Sequence, residues 1–258
     1  MKTDYILAIS GNDVLSGGGM QADLATFTVS GLYGFVAQTC MTSIKADGFE
    51  ITPTPAPLFA KQLESLREVP FAAIKLGLLP SVEIAEQALG FLQNYGRELP
   101  VVFDPVLVFK ENSDQAISSM RVEMLKFLPL ATVITPNLRE AAILSGMPLT
   151  TLSDMKMAAQ ILYDLGAQAI VIKGGSRLNK HEAIDLFYDG QDFVVLRNPI
   201  LHRNNNGAGC TFAAYIASQL ALGKESKEAV SLAKDFVYHT IEESNDYGVK
   251  QNYAKNKT

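Results

Sequence analysis

The stretch Gly207-Ala208-Gly209-Cys210-Thr211 opens the apolar run 212–222 and predicts a tight turn that leads directly into a helix. Two glycines permit such a turn at little steric cost. The first amides of a helix have no intrahelical partner, and their N–H groups converge where the helix dipole favours negative charge. The stretch therefore predicts an anion-binding turn suited to phosphate. The simpler interpretation is a helix start bounded by glycine, with Cys210 as a small buried side chain.

Short β-rich segments alternate with helical ones before this turn. The pattern predicts strands at 5–9, 34–42, 72–75, 100–103, 131–134 and 169–173, and a hairpin of 183–188 and 192–196. It predicts helices at 20–29, 55–69, 81–95, 137–144, 153–165, 207–222 and 226–243. A polar loop is expected from 103 to about 114.

Alternation of strands and helices predicts an α/β fold with a mainly parallel sheet covered by helices on both faces. Ligands bind such sheets at the carboxyl ends of the strands. No linker, repeat or low-complexity segment divides the chain, so we expect one domain over 1–258, with a polar tail that frays from about 247.

The composition excludes several classes of protein. A chain of 258 residues with 48% hydrophobic and 19% charged residues is typical of a globular core. The net charge of -5 argues against nucleic acid or an anionic membrane as the main partner. Two cysteines, Cys40 and Cys210, suit a reducing compartment. No signal peptide or apolar run of about 20 residues is present, which predicts a cytoplasmic protein.

The loop 10–23 carries three successive glycines and Asp13 after the first predicted strand. These glycines would let the backbone approach a ligand closely, and Asp13 would accept from a ligand hydroxyl or ring N–H. The alternative is a plain turn in which Asp13 acts as a local cap. The loop has neither the G-x-G-x-x-G nor the Walker spacing.

Three later strands end in polar side chains. Asp104 either helps to hold hydrated Mg²⁺ beside a phosphate or forms a turn before Pro105. Asn137 and Glu140 either contact phosphate and a metal-bound water or form a capping box. Lys173, which precedes two glycines, would meet a phosphate as a point charge.

Other catalytic chemistries find no support in the sequence. The three histidines, His181, His202 and His239, lack ligand spacing, and no G-x-S-x-G or C-x-x-C motif occurs. A hydrolase triad and a zinc site are therefore not expected.

The ordered set of motifs resembles one family. The series "G-x-D…G-G-x-x-Q-A-D-L…T-F", "D-P-V", "I-T-P-N-x-x-E", "K-G-G" and "G-A-G-C-T" is similar to that of the ribokinase-like vitamin kinases. The nearest branch contains hydroxymethylpyrimidine (phosphate) kinases and bacterial pyridoxal kinases. The resemblance runs from about Tyr5 to about Tyr238.

The resemblance implies a three-layer α/β/α fold, often dimeric, that transfers the γ-phosphoryl of MgATP to a hydroxymethyl group on a heteroaromatic ring. It implies that the turn residues Gly207, Ala208, Gly209 and Cys210 cradle the transferring phosphoryl. It also implies that Asp104, Asn137 and Glu140 bind the metal ion and the phosphates. The nucleotide would be bound by Asn137, Lys173, Gly175 and Gly209. The ring of the acceptor would lie in a pocket lined by Asp13, Gly18, Ile44, Leu78 and Val106. A flap at about 107–116 would close over the site, with Lys110 as its phosphate contact.

Four positions depart from the family pattern. Ile44 replaces a glutamine that reads the aminopyrimidine edge, and a lost buried pairing weakens recognition by about 1–3 kcal/mol. Leu78 replaces a methionine, Asn206 a histidine and Phe109 a flap cysteine. The first departure favours a B6 vitamer as the substrate.

The leading hypothesis is therefore a pyridoxal kinase. Its alternatives are the hydroxymethylpyrimidine kinase of thiamine synthesis and a non-catalytic protein that binds a B6 vitamer or a nucleotide. Two roles for Cys210 are open: a thiolate base with a pKa lowered by the helix N-terminus, or a reversible trap for the aldehyde of pyridoxal.

Overall fold

A computed structural model describes residues 4–46, 48–95, 99–107 and 114–251, the last range without the side chains of 114–117. The strands in this part of the chain are β1 (Tyr5–Asn12), β2 (Tyr33–Lys45), β3 (Gly48–Pro53), β4 (Ala73–Leu76), β5 (Val101–Phe103), β6 (Val133–Ile134), β7 (Ile170–Lys173), β8 (Glu182–Tyr188) and β9 (Phe193–Pro199). The helices are α1 (Gly19–Val29), α2 (Ala56–Ser65), α3 (Val82–Tyr95), α4 (Asp114–Leu125), α5 (Leu138–Ser145), α6 (Leu152–Asp164), α7 (Ala208–Ala221) and α8 (Ser226–Glu242).

The described strands form one sheet in the order β3-β2-β1-β4-β5-β6-β7-β8-β9. The run from β2 to β7 is parallel, whereas β3, β8 and β9 are antiparallel to their neighbours. All these parallel strands therefore end at the same edge, which gathers the loops that follow β1, β4, β5, β6 and β7.

Strand side chains alternate between two cores because successive residues of a strand point to opposite faces. Leu7 and Ile9 pack with residues of α2 to α6, and Ile6 and Ala8 pack with residues of α1, α7 and α8. The sheet is thus buried on both faces between two helical layers, and the predicted three-layer α/β/α fold is confirmed.

Two elements were absent from the sequence prediction. Strand β3 pairs with the end of β2, with Ile44 opposite Phe49, and the resulting hairpin exposes Met41, Ile44 and Phe49. An exposed hairpin lacks the buried face that makes a strand recognisable, and Pro53 ends the segment. Helix α4 begins where the predicted polar loop ends, and it buries Met120 and Met124.

The fraying expected from residue 247 is wrong for residues 247–251. Val249 is buried, and its N–H donates to the carbonyl of Asn206 at 3.0 Å. Residues 252–258 lie outside the described part of the chain. Among the described helices, none combines the length and the hydropathy that a membrane span requires.

Candidate active site

The glycine turn at 207 is a contact between distant segments. Gly207 has φ +83°, and a Cβ atom there would collide with the carbonyl oxygen of Gly17. The Cβ position of Gly18 lies 3.6 Å from Sγ of Cys210. The structure therefore presses the loop after β1 against the first turn of α7, and only glycine fits at 207.

A largely buried ion pair faces this turn. Nζ of Lys173 lies 2.7 Å from Oδ1 of Asp104, which also accepts a hydrogen bond from Oγ1 of Thr135 at 3.0 Å. Lys173 Nζ is 3.3 Å from the Cβ position of Gly209. Burial alone would lower the pKa of Lys173, but the charges of Asp104 and Glu140 outweigh it and raise the pKa. A fixed ammonium thus lies at the N-terminus of α7.

Asn137 and Glu140 form the capping box that the sequence left as an alternative. Oδ1 of Asn137 accepts from the N–H groups of Arg139 and Glu140 at 2.9 and 3.0 Å, and Oε2 of Glu140 accepts from the N–H of Asn137 at 2.8 Å. This box fixes both side chains at the carboxyl end of β6. The amide Nδ2 of Asn137 is not used by the box.

Glu140 is a strongly perturbed carboxyl group. Burial raises its pKa to about 7; Lys173 opposes this shift and Asp104 adds to it. Hydrogen bonds from the backbone N–H groups of Asn137 and Leu107 also favour the carboxylate. Two buried carboxyls that share one ammonium carry excess negative charge when both ionise, so a cation would stabilise them.

The hypothesis that Cys210 is a thiolate base with a lowered pKa disagrees with the surroundings of its thiol. Burial raises the pKa of its thiol to about 11; Lys75 lowers it, but Asp23 and Asp104 raise it further. The sulfur accepts a hydrogen bond from the N–H of Gly19. At neutral pH the thiol is therefore protonated, because desolvation and the two carboxyls outweigh Lys75 and the N–H of Gly19.

An ion pair beneath the turn escaped the sequence analysis as a candidate. Lys75 and Asp23 are fully buried and 2.9 Å apart, and Oγ of Ser10 donates to Asp23 at 2.7 Å. Lys75 is the third residue of strand β4 and lies on the face covered by α1 and α7. The signal was a charge inside an apolar strand, which is rarely buried unless it is paired.

An open cleft of about 380 Å³ is lined in part by Lys173, and no residue of the loop after β1 contributes to its lining. It is bordered by Asn137, Gly175, Ala208, Gly209 and Tyr238. Asp185 shapes it, because its Oδ1 accepts from the N–H groups of Gly174 and Gly175 at 3.0 and 3.3 Å while Oδ2 pairs with Lys234 at 2.8 Å. Asp185 and Lys234 were not expected from the sequence.

Only some of the residues predicted to line the ring pocket lie close together in the structure. Asp13 acts as the local cap: its Oδ2 accepts from the N–H of Gly18 at 2.7 Å and its Oδ1 from that of Leu15 at 3.1 Å. Leu78 is half-buried at the same edge, and Ile44 is 54% exposed on the hairpin. The single chain therefore leaves the Ile44 side of the pocket open.

Three other expectations concern the region around the flap. Val106 is half-buried two residues after Asp104, and its N–H donates to the carbonyl of Asp104 at 2.8 Å. Phe109 and Lys110 lie outside the described residues. Among those described, no group of three or more His, Cys, Asp or Glu side chains is arranged to hold a metal ion.

Comparison with known proteins shows the family to which this chain belongs. The family model described as phosphomethylpyrimidine kinase matches residues 13–255. A putative pyridoxine kinase of Staphylococcus aureus is 43% identical over 247 residues, which cover 93% of this chain and 89% of that protein. The solved structure of S. aureus pyridoxal kinase with AMP-PCP has a TM-score of 0.91 and 41% identity and covers 98% of this chain and 95% of that one. The structure with pyridoxal has a TM-score of 0.89, 41% identity and coverages of 99% and 95%. The chain belongs to the phosphomethylpyrimidine kinase family of ribokinase-like vitamin kinases.

Proposed function

We propose that this chain transfers the γ-phosphoryl group of ATP to the 5′-hydroxymethyl group of pyridoxal, pyridoxine or pyridoxamine. The observation that carries the proposal is the position of Lys173, which lies between Asp104 and the N-terminus of α7 and lines the cleft. A nucleotide in this cleft would direct its terminal phosphates at that ammonium. The acceptor ring would approach from the opposite side, past Asp13 and Gly18.

Positioning and charge neutralisation supply most of the catalysis in phosphoryl transfer. The N–H of Ala208 already donates to the carbonyl of Asn205 at 3.1 Å. We therefore assign the phosphoryl contacts to the amides of Gly209 and Cys210, and to the ammonium of Lys173. A protonated Cys210 thiol is compatible with this role, since the backbone of that residue is the part that binds. Lys110 would add a further cation.

The two buried carboxyl groups fit Mg²⁺, which binds proteins through one or two carboxylates and completes its shell with water and phosphate oxygens. Asp104 and Glu140 are the residues that would hold it. Burial and the neighbouring Asp104 raise the pKa of Glu140, so a bound cation would favour its carboxylate. When bound, the ion would neutralise phosphate charge as the leaving group departs. Asn137 would donate its Nδ2 to a phosphate oxygen.

The identity of the acceptor follows from the relatives and from Ile44. The S. aureus relatives carry the names pyridoxine kinase and pyridoxal kinase, and one of their structures contains pyridoxal. An isoleucine has no group that pairs with an aminopyrimidine edge. The hydroxymethylpyrimidine kinase activity remains the second candidate because the family model carries that description.

We also propose that the protein is a cytoplasmic homodimer. The hairpin of β2 and β3 exposes Met41, Ile44 and Phe49, and Val14 and Leu15 are exposed nearby, since the N–H of Val14 bonds to Thr42 on β2. A second copy that covered these side chains would close the open side of the ring pocket. Sedimentation of the wild type and of Phe49→Asp tests this, and a monomeric wild type would refute it.

ATP consumption measured with each B6 vitamer and with hydroxymethylpyrimidine, with and without Mg²⁺, tests the proposed activity. We expect Mg²⁺-dependent turnover with a B6 vitamer. Preference for the pyrimidine by about a hundredfold, which is about 2.7 kcal/mol, would overturn the assignment. Binding of a vitamer without ATP consumption would favour the non-catalytic alternative.

A further inference from the structure

Three segments that are distant in sequence come into backbone contact beside the glycine turn. A Cβ atom on Gly17 would lie 2.6 Å from the carbonyl oxygen of Tyr247. One on Gly248 would lie 2.8 Å from the carbonyl oxygen of Asn206 and 2.9 Å from Cα of Gly17. The loop after β1, the turn before α7 and the C-terminal segment therefore touch where no side chain fits between them.

Asn206 joins two of these segments. Its Nδ2 donates to the carbonyl oxygen of Tyr247 at 3.0 Å, and its own carbonyl oxygen accepts from the N–H of Val249 at 3.0 Å. Val249 is 6% exposed, which anchors the segment by apolar burial. Asn206 is one of the departures from the family pattern, and here its amide serves as a bridge.

A second connection reaches the helix itself. Nε2 of Gln251 donates to Oγ1 of Thr211 at 2.9 Å, and Thr211 is fully buried in the first turn of α7. On the other side of the turn, Nδ2 of Asn204 donates to the carbonyl oxygens of Asn245 and Asp246 at 3.1 and 2.9 Å. The segment 245–251 is thus hydrogen-bonded to residues that precede the glycine turn and to Thr211, which follows it.

We propose that residues 245–251, which we call the C-terminal clasp, position the reaction centre. Asn206, which precedes the glycine turn, is the main positioning residue through which the clasp acts. The proposal rests on the proposed function, because it assumes that the amides of Gly209 and Cys210 hold the transferring phosphoryl. Such amides act only when they are held at the correct place before the reaction. The clasp holds the turn through Asn204, Asn206 and Thr211.

The test compares Asn206→Ala with Asn94→Ala. Asn94 makes the same kind of bond, from Nδ2 to the carbonyl of Gly90 at 2.8 Å, but on helix α3, far from the turn. Hydrogen exchange of the peptides 207–213 and 245–251 measures directly how firmly the clasp holds the backbone of the turn. Steady-state kinetics with ATP and pyridoxal separates kcat from KM, and thermal unfolding reports stability.

We expect Asn206→Ala to increase exchange in both peptides and to lower kcat about tenfold with little change in the KM for pyridoxal. Gln251→Ala should do the same to a smaller degree, and Asn94→Ala should do neither. Unchanged exchange at 207–213, or increased exchange with wild-type kcat, would overturn the proposal. A wild-type protein without kinase activity would refute the proposed function instead, and the exchange result would still decide whether the clasp holds the turn.

Discussion

Nζ of Lys173 lies 2.7 Å from Oδ1 of Asp104, although the two residues are 69 positions apart in the sequence. Strands β5 and β7 flank β6, and both residues stand at the carboxyl ends of these strands. The parallel sheet therefore creates the pair, and it leaves the ammonium facing the first turn of α7.

Replacing Lys173 by methionine keeps most of the volume and removes the charge at that turn. We expect kcat/KM for ATP to fall about a hundredfold, as when one electrostatic donor is lost from a preorganised site. The exposed Lys224, which pairs with Glu228 on the surface, supplies the control Lys224→Met. Retention of activity within about threefold, or 0.7 kcal/mol, in Lys173→Met would contradict the assignment.

The variant Cys210→Ala separates the backbone of Cys210 from its thiol. Because burial raises the pKa of the thiol to about 11, the side chain is neutral at the pH of the assay. We expect turnover on pyridoxine within about fivefold of the wild type, well short of the 10²–10⁴ that a general base contributes. A loss of that size, with a rate that follows an ionisation in the wild type, would restore the thiolate hypothesis.

The buried pair of Lys75 and Asp23 should dominate stability beneath the turn. Lys75→Met leaves a buried carboxyl without its partner, and we expect the free energy of unfolding in urea to fall by about 3–5 kcal/mol. Lys227→Met, which breaks an exposed pair with Asp192, should cost less than about 1 kcal/mol. Adding Asp23→Asn to Lys75→Met should recover part of the loss; a double variant less stable than the single one would be inconsistent with this account.

The raised pKa of Glu140 predicts that the free energy of unfolding of the unliganded protein depends on pH. Its pKa is about 7 in the folded state against an ordinary value of 4.5, so the unfolded chain loses this proton first. The wild type therefore loses stability as the pH rises from 4.5 to 7 and stays lower above that range. We expect Glu140→Gln to be more stable than the wild type at pH 8, by about 1–3 kcal/mol.

Below pH 4.5 the difference in stability between Glu140→Gln and the wild type should disappear. The variant should lack Mg²⁺-dependent activity at every pH. Denaturation curves at pH 4.5, 6 and 8 measure the difference. A stabilisation that did not change with pH would show that the carboxyl is not the cause. Asp154→Asn is the control, since Asp154 is a partly exposed capping carboxyl whose pKa is lowered by hydrogen bonds from Thr150 and Thr151.

Ile44→Gln tests the acceptor pocket. A glutamine amide at this position would supply the paired hydrogen bonds that an aminopyrimidine edge requires. We expect kcat/KM for hydroxymethylpyrimidine relative to pyridoxal to rise about tenfold, corresponding to about 1.4 kcal/mol. The control is Met41→Gln on the same exposed hairpin. An unchanged ratio in Ile44→Gln would show that position 44 does not read the ring.

Periodicity predicted the layers and most elements because buried strands and amphipathic helices repeat their apolar residues regularly. It missed β3, because none of the residues of this strand is fully buried. Among the candidate residues, Asp104, Lys173, Gly207 and Gly209 come together in the structure. Asn137 and Asp13 also adopt the local capping roles that the sequence had left open, because short polar side chains bond readily to nearby amides.

The sequence by itself determined the α/β/α layering and the strand-end positions of Asp104, Asn137 and Lys173, because both follow from local patterns of burial and turn formation. Tertiary structure alone decided the state of Cys210. Burial and the neighbouring carboxyls, Asp23 and Asp104, raise the pKa of a thiol that a helix N-terminus would lower. It also decided that Asn206 holds the C-terminal clasp on the glycine turn. Such effects depend on which distant residues are packed together and on how much water they exclude, and no local pattern records either.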